Sequence, residues 1–199
     1  MRTILLGLAL ATAAGAATAE NLKTAVIAGG CFWCVESDYD KLPGVVETIS
    51  GYAGGTTDNP TYEQVTQGGS GHYEVVQVTY DADIVSYRQL IDVFWRSVDP
   101  TDDGGQFCDR GPSYRTAVFA ADAAEAEEAK ASRSAAQEIL GEEIVTPVLE
   151  AGAFWPAEDY HQDYYKENPV RYAFYRKSCG RDARLRTLWG DDAFIFGKS

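Results

Sequence analysis

The chain has 199 residues, with 17 basic and 30 acidic side chains and a net charge of −13. So acidic a chain is repelled by nucleic acid and by anionic lipid, which excludes both as expected partners. The length suits one domain with a substantial core, and four cysteines are too few and too unevenly spaced for a disulfide scaffold.

Residues 1–19 read as a cleaved export signal. Arg2 supplies a positive charge, residues 4–17 are apolar and rich in Leu and Ala, and Ala17-Thr18-Ala19 has the small-x-small form of a signal-peptidase site. The alternative is a membrane anchor, but the stretch is short and no second apolar span follows. The mature chain is expected to start at Glu20, to form a single domain over 20–199, and to be exported without stable membrane association. A Gram-negative periplasm is the expected compartment, where Cys31, Cys34, Cys108 and Cys179 meet oxidising conditions.

Residues 24–28 form an apolar run that predicts a buried strand. Residues 31–42 predict a helix stopped by Pro43-Gly44. A second strand is expected over 45–52 and a short helix near 62–66. Alternation over 73–81 predicts the clearest strand, with Glu74, Val76, Val78 and Tyr80 on one face. An amphipathic helix follows over 86–98, then a Gly-rich loop over 99–112 and a strand over 113–121. Asp122 with Glu125 forms a capping-box-like start to an Ala-rich helix ending at Leu140-Gly141. A strand over 143–150 and a helix over 156–166 complete the series, and residues 167–199 read as irregular. This order predicts an α+β fold: a two-layer sandwich with helices packed on a mixed sheet, related to the split βαβ plan. The cysteine turn, the 51–55 turn and the 99–112 loop are expected to converge at one edge.

The most informative segment is GGCFWCVE, residues 29–36. Two glycines let the backbone turn sharply, and Cys31 then falls at a helix start, where peptide dipoles favour a thiolate. A thiolate beside Phe32 and Trp33 suits a nucleophile for a small, mostly apolar substrate. The alternative is a short disulfide or half of a metal site. Zinc is the weaker reading, because only Cys31 and Cys34 form a ligand pair. No metal and no organic cofactor are expected.

Glu74 shares a face with two valines and a tyrosine. Burial there would keep the carboxyl protonated near neutral pH and make it a proton donor. The alternative leaves Glu74 in solvent, but the other face, Tyr73, Val75, Gln77 and Thr79, is the more polar. Tyr62, Tyr114 and Asp109 lie in or beside loops, where hydroxyls and a carboxylate could hold a polar oxygen or water. Taken singly, each reads better as core cover or a turn cap than as a ligand group. Glu158 and His161, at i and i+3, read as a structural hydrogen-bonded pair.

Together GCFWCVE (30–36), SGYAGG (50–55), PTYEQV (60–65), GHYEVVQVTYD (71–81), DPTD (99–102), SYRTAVF (113–119) and AEDYHQDYY (157–165) resemble the A-type peptide methionine sulfoxide reductases. The resemblance runs in order through nearly all of the mature chain. It implies a single catalytic domain that reduces the S epimer of methionine sulfoxide, free or in proteins, with a thioredoxin-like dithiol as reductant. It implies Cys31 as the catalytic cysteine and Glu74 as the acid that protonates the sulfoxide oxygen. It implies Phe32 and Trp33 as walls around the S-methyl group, Tyr62 and Tyr114 as donors to the oxygen, and Asp109 as a polar residue of the same pocket.

The chain departs from the family pattern where Phe107-Cys108 replace Gly-Asn, where Gly111-Pro112-Ser113-Tyr114 replace Gly-Thr-Gln-Tyr, and where Cys34 stands in place of a frequent Gly. These changes leave the recycling route open. Cys34 is the expected resolving thiol because its spacing from Cys31 gives a high effective concentration. Cys179 and Cys108 are the alternatives, and those two could also pair as a structural disulfide or relay. Two rival functions are a thioredoxin-like disulfide oxidoreductase built on Cys31 and Cys34, and an exported non-catalytic binding protein.

Overall fold

The protein is described here from a computed structural model, over residues 21–193. The expected export signal and its cleavage site lie outside those residues. Eight strands and seven α-helices are present among them: β1 (Leu22–Gly29), α1 (Phe32–Tyr39), β2 (Val45–Ala53), α2 (Tyr62–Thr66), β3 (Tyr73–Asp81), α3 (Tyr87–Ser97), β4 (Gly105–Gln106), β5 (Asp109–Arg110), β6 (Thr116–Ala120), α4 (Ala123–Leu140), β7 (Val148–Glu150), β8 (Phe154–Pro156), α5 (Tyr164–Glu167), α6 (Pro169–Ser178) and α7 (Arg181–Trp189).

Six strands form one sheet in the order β7-β6-β1-β3-β2-β8. β3 pairs antiparallel with both β1 and β2, so β1-α1-β2 is a crossover unit split by β3. β6 and β7 run parallel, which makes the sheet mixed. Alternation decides the faces. Glu74, Val76, Val78 and Tyr80 are all buried toward the helical layer, where Leu90, Ile91, Phe94 and Trp95 of α3 and Val35 and Tyr39 of α1 meet them. A smaller cluster of Ala28, Ala53, Tyr73, Val75, Ala117 and Phe119 covers the opposite face at one end.

Local signals set several helix ends. Ser86 Oγ accepts from the Gln89 amide and Gln89 Oε1 accepts from the Ser86 amide, a closed capping box before α3. Thr61 and Gln64 repeat it at α2. Asp122 caps α4 by accepting from the Ala124 and Glu125 amides, and Gly141 ends that helix at φ 73°. Glu125 reaches the Ala121 amide rather than that of Asp122.

The C-terminal third differs from expectation. The segment read as irregular carries α6 and α7. These helices bury few apolar side chains, so their sequence shows little apolar period. They are held instead by arginines: Arg176 of α6 pairs with the buried Asp38 at 2.8 Å, and the buried Arg181 of α7 donates to Gly29 O at 3.2 Å and Ser97 O at 2.8 Å. The helix expected over 156–166 divides into the end of β8, a 3-10 turn at Asp159–His161 and α5. The strand expected over 143–150 is confined to β7. The strand expected over 113–121 begins only at Thr116, after a 3-10 turn at Pro112–Tyr114. The 99–112 loop contains the small hairpin β4–β5.

Candidate active site

The chain leaves β1 through Gly29 and Gly30. Gly30 has φ 80°, and a Cβ there would stand 2.5 Å from Cβ of Gln106, so the turn needs glycine for both conformation and space. Gln106 is buried and braces the loop, pairing with both backbone groups of Asp99 at 2.8 Å. The turn delivers Cys31 to the N-cap of α1 with 7% of its surface exposed.

The next amide, Phe32 N–H, donates to Glu74 Oε2 at 3.1 Å. Glu74 is 1% exposed, and burial pushes its carboxyl up to about 8. The Phe32 amide pulls the other way, and Asp109 adds a smaller upward push. Glu74 is therefore a neutral acid beside the thiol at neutral pH. The Tyr114 hydroxyl is a hydrogen-bonding neighbour of both Glu74 and Tyr62. Burial raises both tyrosines, so both hydroxyls stay protonated.

The walls are aromatic. Phe32 is buried with its ring 6.1 Å from Tyr52, 6.5 Å from Tyr62 and 4.8 Å from the His161 ring. Trp33 stacks on Tyr164 with centroids 3.7 Å apart and meets Tyr175 edge-on at 5.8 Å. Its indole Nε1 donates to His161 Nδ1 at 3.1 Å. Burial lowers His161 to about 4, so it stays neutral and serves as that acceptor.

Glu158 and His161 do not pair through their side chains as expected. Glu158 accepts from the Tyr52 hydroxyl at 2.8 Å and the Tyr62 amide at 2.9 Å, fixing the start of α2. Against the upward push of burial, those donors hold it below the usual carboxylate range. Each residue thus positions a different wall of the site.

Cys31 and Cys34 are free thiols, both buried. Burial pushes Cys31 well up, which outweighs the helix-start effect expected from its position. Cys34 is lowered to about 7, first by its hydrogen bond with Cys31, against the push of burial, and then by Arg181 and Arg176. The two thiols therefore share one hydrogen bond, with the surroundings of Cys34 the more favourable to charge because Arg181 and Arg176 stand near it. Cys108 and Cys179 form a disulfide across 71 residues. One ligand atom each of Cys108, Asp109 and Cys179 lies within 4.8 Å of the others, but the disulfide leaves neither sulfur as a thiolate for a metal.

The cysteine turn and the 99–112 loop meet, with Gly30 against Gln106, whereas the 51–55 turn sends Tyr52 toward Phe32 but packs Gly54 and Gly55 against Phe119 and His72 instead. Asp109 of β5 accepts a hydrogen bond from the Tyr175 hydroxyl, and Tyr175 also borders Cys31. All seven residues proposed for catalysis and substrate binding are thus gathered, with Cys34 at their edge. Sequence reading missed Tyr164 and Tyr175. Tyr164 lies inside the quoted AEDYHQDYY motif, whereas Tyr175 sits in the segment read as irregular, which offered no signal for it.

A thiol, a neutral acid and two tyrosine hydroxyls around one aromatic-walled space define a site for thiol chemistry on a small polar oxygen. The chain belongs to the peptide methionine sulfoxide reductase family, whose model matches residues 23–193. It is 56% identical over 178 residues to peptide methionine sulfoxide reductase MsrA 2 of Rhizobium meliloti, covering 89% of each chain. The crystal structure of reduced Mxr1 from Saccharomyces cerevisiae aligns at TM-score 0.72 and 34% identity, over 75% of this chain and 87% of that one. Mxr1 in complex with Trx2 aligns at TM-score 0.52 and 27% identity, over 72% and 85%.

Proposed function

We propose that this chain reduces the S epimer of methionine sulfoxide, free or in proteins, to methionine. The observation that carries this reading is the contact of Glu74 with the Phe32 amide, which sets a neutral acid against the residue that follows Cys31. Sulfoxide oxygen is a poor leaving group until protonated. Glu74 supplies that proton while Cys31 attacks sulfur. The Tyr62 and Tyr114 hydroxyls hold the oxygen, and Phe32 and Trp33 enclose the methyl group. Methionine leaves, Cys31 becomes a sulfenic acid, and Cys34 condenses with it to a disulfide. A thioredoxin-like dithiol resets the pair. The solved pairing of Mxr1 with Trx2 supports a partner of that class.

The same reading places the chain outside the cytoplasm as a single catalytic domain over 20–199, released from residues 1–19 into a periplasm. The Cys108–Cys179 disulfide supports an oxidising compartment. None of the described helices is long and apolar enough to cross a membrane.

Single-turnover assays without reductant test the function. One equivalent of methionine is expected from the S epimer and none from the R epimer, with Cys31 and Cys34 recovered as a disulfide by peptide mapping. Reduction of insulin disulfides without any methionine formation would instead favour the thioredoxin-like rival.

A further inference from the structure

We propose that Tyr175 and Asp109 form the proton acceptor for Cys31, with the Tyr175 hydroxyl as the bridge and the Asp109 carboxylate as the final base. The inference rests on the reductase reading above and adds to it the fate of the thiol proton.

The need for an acceptor comes from the burial of Cys31. Its thiol does not ionise readily, yet attack on sulfur requires the S–H proton to leave. Four groups face it: Cys34 from α1, Tyr62 from α2, Glu74 from β3 and Tyr175 from α6; Tyr62 is raised by burial, keeps its proton and donates to the substrate oxygen. Glu74 is protonated and is the donor to the substrate oxygen. Cys34 is lowered by its hydrogen bond with Cys31, against burial, and further by Arg181 and Arg176, with Asp38 opposing, which suits it to the next step, attack on the sulfenic acid, rather than to holding the Cys31 proton. His161 Nδ1 is occupied by the Trp33 indole. Tyr175 remains, and its hydroxyl already donates to Asp109 Oδ2. Around Asp109, Tyr175 and Arg181 favour its ionised form, burial opposes it, and Glu74, Tyr62 and Tyr114 all sense its charge. A carboxylate raised above its usual range is the stronger base for a thiol proton.

The covalent frame supports the pair from both ends. Cys108 immediately precedes Asp109, and Cys179 follows Tyr175 by one turn of α6. Their disulfide therefore clamps the two sides of the Tyr175–Asp109 hydrogen bond. Phe107, held at φ 55° with the Arg181 guanidinium 4.8 Å from its ring centroid, keeps the loop in a conformation that a bulky residue rarely adopts.

The step balances. The Cys31 proton passes to the Tyr175 oxygen as the Tyr175 proton passes to Asp109. The Glu74 proton goes to the sulfoxide oxygen, and that oxygen moves from substrate sulfur to Cys31 sulfur. The sulfoxide is reduced by two electrons, Cys31 is oxidised to the sulfenic acid, and Asp109 ends protonated where Glu74 ends ionised.

The test is the pH profile of methionine formation in a single turnover, run with Cys108–Cys179 intact. The wild type is expected to show an ascending limb from Asp109 and a descending limb from Glu74. Tyr175→Phe keeps the ring against Trp33. It and Asp109→Asn should each abolish the ascending limb and slow the neutral-pH rate by at least about tenfold. The double variant should be no slower than either single one. Iodoacetamide labelling of Cys31, read by peptide mapping, follows loss of the same proton without substrate and should slow in Tyr175→Phe. An unchanged limb and unchanged labelling in that variant would overturn the proposal. So would a Cys34→Ser variant that alone loses the ascending limb, since Cys34 would then be the base. A wild type that forms no methionine but shows slowed labelling in Tyr175→Phe refutes the reductase reading and leaves the proton acceptor standing.

Discussion

The Phe32 amide donates to Glu74 Oε2 across 3.1 Å, joining the first turn of α1 to a carboxyl that is 1% exposed in the sheet. Glu74→Gln preserves the shape and removes the acidic proton. Its single-turnover rate should fall by about 10²- to 10⁴-fold, with the native circular dichroism spectrum retained. In the wild type the acid is in its active form below its value of about 8, so the rate should decline as pH rises through it.

Stability should follow the same proton. Burial raises Glu74 to about 8 and Glu36 to about 7. Between about pH 4.5 and those values the unfolded chain has lost both protons while the folded chain keeps them. Folded protein then binds more protons than unfolded, so stability falls as pH rises through that window. The loss should be on the order of a few kcal/mol, read from urea denaturation at the two ends, and Glu74→Gln should remove a large part of it.

Cys34→Ser should allow one turnover and no more. Cys31 is then expected to accumulate as a sulfenic acid that dimedone traps, with the Cys108–Cys179 disulfide unchanged in peptide maps. Continued turnover with thioredoxin, or a Cys31 disulfide to Cys108 or Cys179, would assign resolution elsewhere.

Asp38 is nearly inaccessible, 2.8 Å from Arg176 and 3.9 Å from Arg181. Asp38→Ala leaves two guanidinium groups without their shared carboxylate. The expected loss is about 3–5 kcal/mol in chemical denaturation. Because Asp38 also opposes the charge on Cys34, labelling of Cys34 should shift to lower pH.

Protein recovered from its native compartment should begin at Glu20, because Ala17-Thr18-Ala19 presents the small residues that a signal peptidase requires. N-terminal sequencing that returns Met1 would point to an anchor or to a protein that is never exported.

What the sequence alone determined was whatever depends on neighbours along the chain. The alternation of residues 73–81 specified β3 to the residue and put Glu74 on the buried face. Asp122 marked the start of α4, because an N-cap side chain accepts from amides only two and three residues further on. Gly141 ended α4 for an equally local reason, the left-handed conformation of its own backbone. Only the tertiary structure decided the roles of the C-terminal segment. Few apolar side chains of α6 and α7 are buried, so no hydrophobic period announces these helices, and their anchors lie far away: Arg181 bonds Gly29 and Ser97, and Tyr175 bonds Asp109 across 66 residues. The ionisation of the two thiols was equally hidden. Dipoles at a helix start favour a charge at Cys31, but packing buries that thiol and sets Glu74 beside it, which raises Cys31, while two arginines and the hydrogen bond from Cys31 lower Cys34.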